Sequence, residues 1–110
     1  MAAADAKIID ALSGLNVPFF KWFDEYDGET FPAIAYHLIS QTPDNFGDDR
    51  ETSCNYIYQL SIISNTDDED ELAQKIRDAM FAQGFSFISL DELRDEKDNF
   101  ITALRFYISL

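Results

Sequence analysis

The segment from Cys54 to Ser64, C-N-Y-I-Y-Q-L-S-I-I-S, constrains the fold more than any other part of the chain. Its side chains alternate with a period of two, and β-branched and aromatic residues dominate, as a pleated, packed surface requires. Tyr58 and Leu60 fall on one side of the predicted strand, and Ile57 and Ile63 fall on the other. Because both sides carry apolar residues, the segment is predicted to be an interior strand of a sheet.

Four further segments alternate in the same way, and two others have the 3.6-residue periodicity of a helix. The predicted strands are Val17–Phe23, Ala33–Gln41, Thr52–Ser64, Phe85–Leu93 and Asn99–Leu110, and the predicted helices are Ala2–Ser13 and Asp67–Gln83. This order predicts an α+β fold in one domain, residues 1–110. We expect a mixed, largely antiparallel sheet of four to five strands, with one main helix and a short N-terminal helix packed on it.

Local signals mark where the two predicted helices begin and end. Thr66 and Glu69 form a capping-box pattern at the start of the main helix, and Gly84 is placed to end it. Gly14 is expected to end the first helix in a left-handed conformation. Leu72, Ile76 and Met80 then form the apolar stripe by which the main helix packs on the sheet.

The charge of the chain restricts its partners. The chain has 21 Asp and Glu residues against eight Lys and Arg, a formal net charge of -13. Exposed phosphates and anionic membranes attract clustered cations, so neither is an expected partner. No apolar run approaches the roughly 20 residues of a membrane span, and the N-terminus does not resemble a signal peptide. Cys54 is expected to be a buried thiol within its strand.

No motif for enzyme chemistry stands out. His37 is the only histidine, which leaves no histidine pair for a metal or a proton relay. Phosphate-loop, dinucleotide-binding and nucleophile-elbow patterns are missing from the sequence. The acidic run Asp24–Glu29 lacks the spacing of a calcium loop, although weak divalent binding to clustered carboxylates stays open. We therefore expect no catalytic, cofactor-binding or metal-binding residues, and we expect that the protein is not an enzyme.

Residues 42–52, T-P-D-N-F-G-D-D-R-E-T, form an extended acidic loop between two strongly predicted strands. The loop is longer than a tight hairpin needs. Two interpretations stay open: a mobile, solvated connection, or an arm that becomes ordered on a partner, with Phe46 as its apolar anchor.

Several short motifs occur in the order seen in one family. They are E-T-F-P-A-I-A-Y-H-L-I at Glu29–Ile39, P-D-N-F-G-D-D at Pro43–Asp49, E-L-A-Q-K-I at Glu71–Ile76, G-F at Gly84–Phe85 and L-R-F at Leu104–Phe106. With the chain length, they make the chain resemble the tail completion or tail terminator proteins of long-tailed bacteriophages, also called minor capsid or head–tail joining proteins. The resemblance runs from about Phe19 to the C-terminus and leaves out the first helix.

The resemblance implies a structural virion protein. Members of that family form a ring, typically hexameric, on the last ring of the tail tube, where they stop its growth and join it to the head connector. It also implies partner contacts in the loop between the second and third strands. The candidate contact residues are Asp44, Asn45, Phe46, Asp48 and Asp49.

By the same resemblance, the partners are further copies of the chain, the tail-tube protein and the head connector protein, with DNA passing unbound and no membrane. The location would be the virion neck, assembled in the host cytoplasm. Another virion assembly protein and a general interaction domain are alternatives. A further alternative is a soluble acidic inhibitor or DNA mimic, whose carboxylates imitate phosphates.

Overall fold

The computed structural model describes residues 3–21, 28, 31–43, 54–66, 69–94, 97 and 99–110. In chain order the elements are helix α1 (Ala3–Ser13), strands β1 (Phe19–Lys21), β2 (Ala33–Pro43) and β3 (Cys54–Ser64), helix α2 (Asp70–Ala82), and strands β4 (Ser86–Arg94) and β5 (Phe100–Ser109). The strands form one sheet in the order β1-β2-β3-β5-β4. Strand β1 pairs with β2 in parallel, and the other pairs are antiparallel. The predicted α+β fold is thus confirmed.

Strand β3 lies at the centre of the sheet, as its two-sided apolar pattern predicts. It pairs along its length with β2 on one side and β5 on the other. Tyr58, Leu60 and Ile62 belong to the core beneath the helices, whereas Ile63 belongs to a smaller apolar cluster. The smaller cluster contains Ala35 and Ile101, with Phe31 packed against it.

Both helices pack on the same face of the sheet. Helix α2 presents Leu72, Ala73, Ile76 and Met80, all buried, which confirms the predicted stripe. The α1 residues in this core are Ala4, Ile8, Ala11 and Leu12. Arg77 also holds α2 to β4, because its guanidinium lies 4.4 Å from the centroid of the Phe87 ring. Among the described helices, none is long and apolar enough to cross a membrane.

The start of α2 differs from the prediction. Glu69, not Thr66, is the N-cap residue, and its side chain makes no capping hydrogen bond. The buried Ser64 hydroxyl at the end of β3 donates to Glu69 Oε1 at 2.8 Å, and Ser64 Oγ accepts from the Thr66 N–H at 3.1 Å. The predicted capping box is wrong because the buried hydroxyl needs an acceptor and takes the glutamate that would have completed the box.

Two glycines were expected to end helices, and one of them does. Gly84 has a φ of 93°, and its N–H donates to the Phe81 carbonyl at 3.0 Å, as predicted for the end of α2. Gly14 does not adopt a positive φ; Asn16 does, with a φ of 57°. Helix α1 instead closes through the Leu15 N–H and the Leu12 carbonyl, and asparagine tolerates the left-handed region that follows.

Two register shifts interrupt the strands. In β2 the shift lies between Leu38 and Ser40, and in β4 it lies between Phe87 and Ser89. Each inserts one isoleucine, and both Ile39 and Ile88 are exposed. Such bulges bend a strand and re-aim its side chains.

Other differences are small. Strand β1 begins at Phe19 rather than Val17, and β4 extends to Arg94, one residue past its prediction. The Cys54 side chain is partly exposed rather than buried. Its backbone is fixed by two hydrogen bonds with Leu110, of 2.7 and 2.9 Å.

Candidate interaction surface

Part of the sheet face opposite the helices is solvent-exposed among the described residues. Residues that pair directly across antiparallel strands point to the same face, so the register defines the members of this face. We call it the open face: Ser40, Ile57, Tyr107 and Ser86 in one row, His37, Gln59, Arg105 and Ser89 in the next, and Thr42, Asn55 and Ser109 at the end. The bulge residues Ile39 and Ile88 flank it, 40% and 48% exposed.

The rows that define the open face contain no carboxylate, although 21 of the 110 residues of the chain are Asp or Glu. The exposed Asp91 follows in the next row on the same side of the sheet, where it pairs with Ala103. The charged groups of the open face are Arg105, which is exposed, and His37, which titrates. Tyr107 is 36% exposed. Protein interfaces are enriched in Tyr and Arg and depleted of Asp, Glu and Lys at their centre. Arg105 and Tyr107 fit this composition, whereas the four serines of the open face do not, because interfaces are depleted of serine as well.

Hydrogen bonds within and between strands fix several polar side chains of the open face. Arg105 Nε donates to Gln59 Oε1 at 3.2 Å, and Gln59 Nε2 donates to Ser61 Oγ at 3.1 Å. The Tyr107 hydroxyl donates to Asn55 Oδ1 at 3.0 Å. Side chains held in this way lose less conformational entropy when a partner binds.

His37 lies in the same row of the open face as Arg105, with Gln59 between them. Partial burial lowers the pKa of His37, and the positive charge of Arg105 lowers it further. The imidazole therefore stays neutral in the folded state at pH values where a free histidine is protonated. Its place on a polar strand face agrees with the interpretation of His37 as a strand residue.

We expect that Arg105→Gln raises the pKa of His37, which stays below 6.5 because burial, the larger cause, remains. In the wild type, the free energy of unfolding falls as pH drops below about 6.5, because the unfolded chain binds a proton at His37 more readily than the folded chain does. In Arg105→Gln this fall should be smaller. His37 is the only histidine, so an NMR titration of its ring protons measures the pKa directly. Arg94→Gln, on β4, is the control; an equal response in both variants would contradict the Arg105 contact.

A second polar cluster lies on the helix side. The Tyr58 hydroxyl donates to Asp5 Oδ1, and Lys21 Nζ lies 3.3 Å from Asp5 Oδ2. Asp5 and Tyr58 are both buried. Burial, followed by the hydrogen bond to Asp5, raises the pKa of Tyr58 and keeps its hydroxyl protonated. The cluster joins α1, β1 and β3, so its chemistry is that of an anchor for the first helix.

Sequence reasoning missed this anchor, although the sequence holds a signal for it. Asp5 precedes Ile8 and Leu12 by three and seven residues, so it lies on the apolar stripe of α1. A carboxylate on such a stripe needs a buried partner. The sequence does not show that the partner is Tyr58, which is 53 residues away.

An acidic cleft lies at the start of α2. Glu69, Asp70 and Glu92 line it, together with Leu93 and Phe100. Over the described ranges, no group of three His, Cys, Asp or Glu side chains is placed to hold a metal ion.

The predicted contact residues Asp44, Asn45, Phe46, Asp48 and Asp49 lie outside the described residues. The structure does describe where their loop starts and ends. Thr42 pairs with Asn55, and Pro43 pairs with Cys54. Asn55 also pairs with Ser109, so three strands support the base of the loop next to the open face.

A scan of the chain against protein-family models found no match, and a search of the curated proteins found none either. The resemblance to tail terminator proteins therefore has its basis in the motifs alone, and the role it implies is carried forward as a proposal.

Proposed function

We propose that this chain is a structural subunit of a phage virion. It forms a homo-oligomeric ring at the head-proximal end of the tail, ends the growth of the tail tube and provides the surface for head–tail joining. The observation that carries the proposal is the open face, where Arg105 and Tyr107 are exposed in rows that contain no carboxylate, in a chain of net charge -13. Arg and Tyr are enriched in protein interfaces, and a ring subunit needs a surface that binds its neighbour.

The loop of residues 42–52 is the second surface that we assign to a partner, the tail-tube protein. Its base is fixed by β2, β3 and the end of β5, so the segment between Pro43 and Cys54 starts from a rigid support. Phe46 is the apolar residue we assign to the tail-tube contact, with Asp44, Asn45, Asp48 and Asp49 around it. The head connector would bind elsewhere on the ring, within the virion neck, and DNA would pass through without being bound.

The proposal is tested by the assembly state of the protein across a salt series. Like charges within a Debye length of about 8–10 Å repel, and every subunit carries -13. Rings are expected to be weak at low ionic strength and to strengthen with sodium chloride or magnesium. Sedimentation velocity measures the oligomer, and negative-stain images show whether it has a central hole.

Two outcomes of this series contradict parts of the proposal. A chain that stays monomeric at every protein and salt concentration would contradict a ring and favour the acidic inhibitor or DNA mimic. Rings that form fully at low salt and dissociate as salt rises would contradict the expected salt dependence but not the ring, because ion pairs between subunits would then outweigh the screened repulsion.

A further inference from the structure

The domain carries a second distinctive surface, on the side opposite the open face. Helix α2 packs on the sheet through Leu72, Ile76 and Met80, so its other side faces away from the sheet. We call this side the outer stripe: Asp70, Glu71, Gln74, Lys75, Asp78 and Phe81, all exposed. Phe81 is 48% exposed. Phe81 is the apolar residue of this stripe, next to the carboxylate of Asp78.

We propose that the open face of one copy binds the outer stripe of a second copy. The inference builds on the proposed ring and names the surfaces by which its subunits would meet. Asp78 of one copy pairs with Arg105 of the next, and Phe81 packs on Tyr107 and Ile57.

Charge selects this pairing over the other combinations. The outer stripe holds the carboxylates of Asp70, Glu71 and Asp78 against one lysine, Lys75. Two outer stripes in contact would place carboxylates against carboxylates, and two open faces would leave Arg105 without a carboxylate partner in the neighbouring copy. An open face against an outer stripe places Arg105 opposite the carboxylates of the helix, and Asp91, on the same side of the sheet, lies one row beyond the open face.

Spacing along the two surfaces agrees with the pairing. Asp78 and Phe81 are three residues apart on a helix, a rise of roughly 4.5 Å. Arg105 and Tyr107 are two residues apart on a strand, or roughly 6.8 Å. The flexible arginine side chain spans the difference, so both contacts can form together. Ile57 pairs directly with Tyr107 and widens the apolar surface that Phe81 meets.

Two polar pairs within the outer stripe already form weak local contacts. Lys75 Nζ lies 3.7 Å from Glu71 Oε1, and Gln74 Nε2 donates to Asp78 Oδ1 at 3.0 Å, both at exposed positions. Exposed pairs of this kind contribute little to stability. Asp78 therefore keeps acceptor capacity for the guanidinium of another copy.

The two surfaces lie on opposite sides of one domain, which determines the symmetry of the assembly. Each copy uses its open face toward one neighbour and its outer stripe toward the other. A contact between two different surfaces is heterologous, and it produces a ring when the rotation between copies closes.

Reciprocal charge reversal tests the pairing. Asp78→Arg alone places arginine against Arg105, and Arg105→Asp alone places aspartate against Asp78, so each variant is expected to assemble at least tenfold more weakly. In an equimolar mixture, alternating copies restore an opposite-charge pair at every contact. The mixture is therefore expected to regain the wild-type sedimentation profile. Asp10→Arg, the same change at an exposed position of α1, is the matched control and should assemble as wild type.

Phe81→Ser provides a second measurement that reverses no charge, and it is also expected to weaken assembly at least tenfold. Circular dichroism melts confirm that each variant is folded. Variants that assemble like a ring-forming wild type would overturn the pairing and leave the ring proposal intact. An equimolar mixture of the two charge-reversal variants that does not regain assembly, or that forms only dimers, would also overturn the pairing. A wild type that stays monomeric throughout the salt series would contradict the ring itself. The salt series therefore distinguishes failure of the ring proposal from failure of these particular contacts.

Discussion

Ile76→Asp is expected to unfold the domain. Ile76 is fully buried in the core between α2 and the sheet. Truncating a buried isoleucine costs about 2–5 kcal/mol, and an unpaired carboxylate in an apolar site costs more. Domains have a total stability of about 5–15 kcal/mol, so the loss removes most or all of it. Circular dichroism and thermal melting measure the result.

Gln74→Asp is the matched control for Ile76→Asp. It introduces the same side chain on the same helix, at an exposed position two residues earlier. Surface substitutions usually change stability by about 0.5 kcal/mol or less, and each like charge four residues away, Asp70 and Asp78, adds about 0.2–0.5 kcal/mol. This variant should therefore lose about 1–1.5 kcal/mol at most and stay folded. A folded Ile76→Asp with unchanged melting would show that α2 does not pack through this face.

Asp5→Ala has the second largest expected effect. It leaves the Tyr58 hydroxyl, 1% exposed, without the carboxylate that accepts its hydrogen bond. An unsatisfied buried donor costs about 1–3 kcal/mol, and Lys21 loses its ion pair with Asp5. Urea unfolding should therefore show a free energy of unfolding lower by about that amount.

A double-mutant cycle isolates the contact between Asp5 and Tyr58. Tyr58→Phe alone leaves a buried carboxylate with Lys21, and it too should destabilise the domain. The double variant removes both partners, so its loss should be smaller than the sum by about 0.5–3 kcal/mol. Asp10→Ala, on the exposed side of α1, serves as the control. Strictly additive losses would mean that the two side chains act independently.

The elements of the fold could be predicted from the sequence because their signals are local. The period-two pattern of Cys54–Ser64 located the central strand, and the stripe of Leu72, Ile76 and Met80 identified the packed face of α2. Non-local features were not predictable. Periodicity does not specify that β1 runs parallel to β2, or that β5 rather than β4 pairs with β3. The helix start was wrong because Ser64, outside the helix, binds the capping glutamate.

The candidate surface was harder to predict than the fold. A strand that is apolar on both sides, such as β3, does not show which side the helices cover. The sequence predicted partner contacts at Phe46 and the acids of its loop, because this loop is unusually acidic and unusually long. The open face is distinguished by the acids it lacks, and this becomes visible only when the register aligns Arg105 with Gln59 and His37.

The pairing of β3 with β5 also bears on how the chain folds during synthesis. Strands β2 and β3 are consecutive in the sequence, as are β4 and β5, so each pair can form early. The contact between Gln59 and Arg105 spans 46 residues. Chains grow at about 5–20 residues per second, so the edge of β3 that pairs with β5 stays unpaired for several seconds until β5 has been synthesised. During that interval the nascent chain exposes one unpaired edge of β3, a strand rich in isoleucine and tyrosine. Exposed edges of such strands can pair with other chains and lead to aggregation.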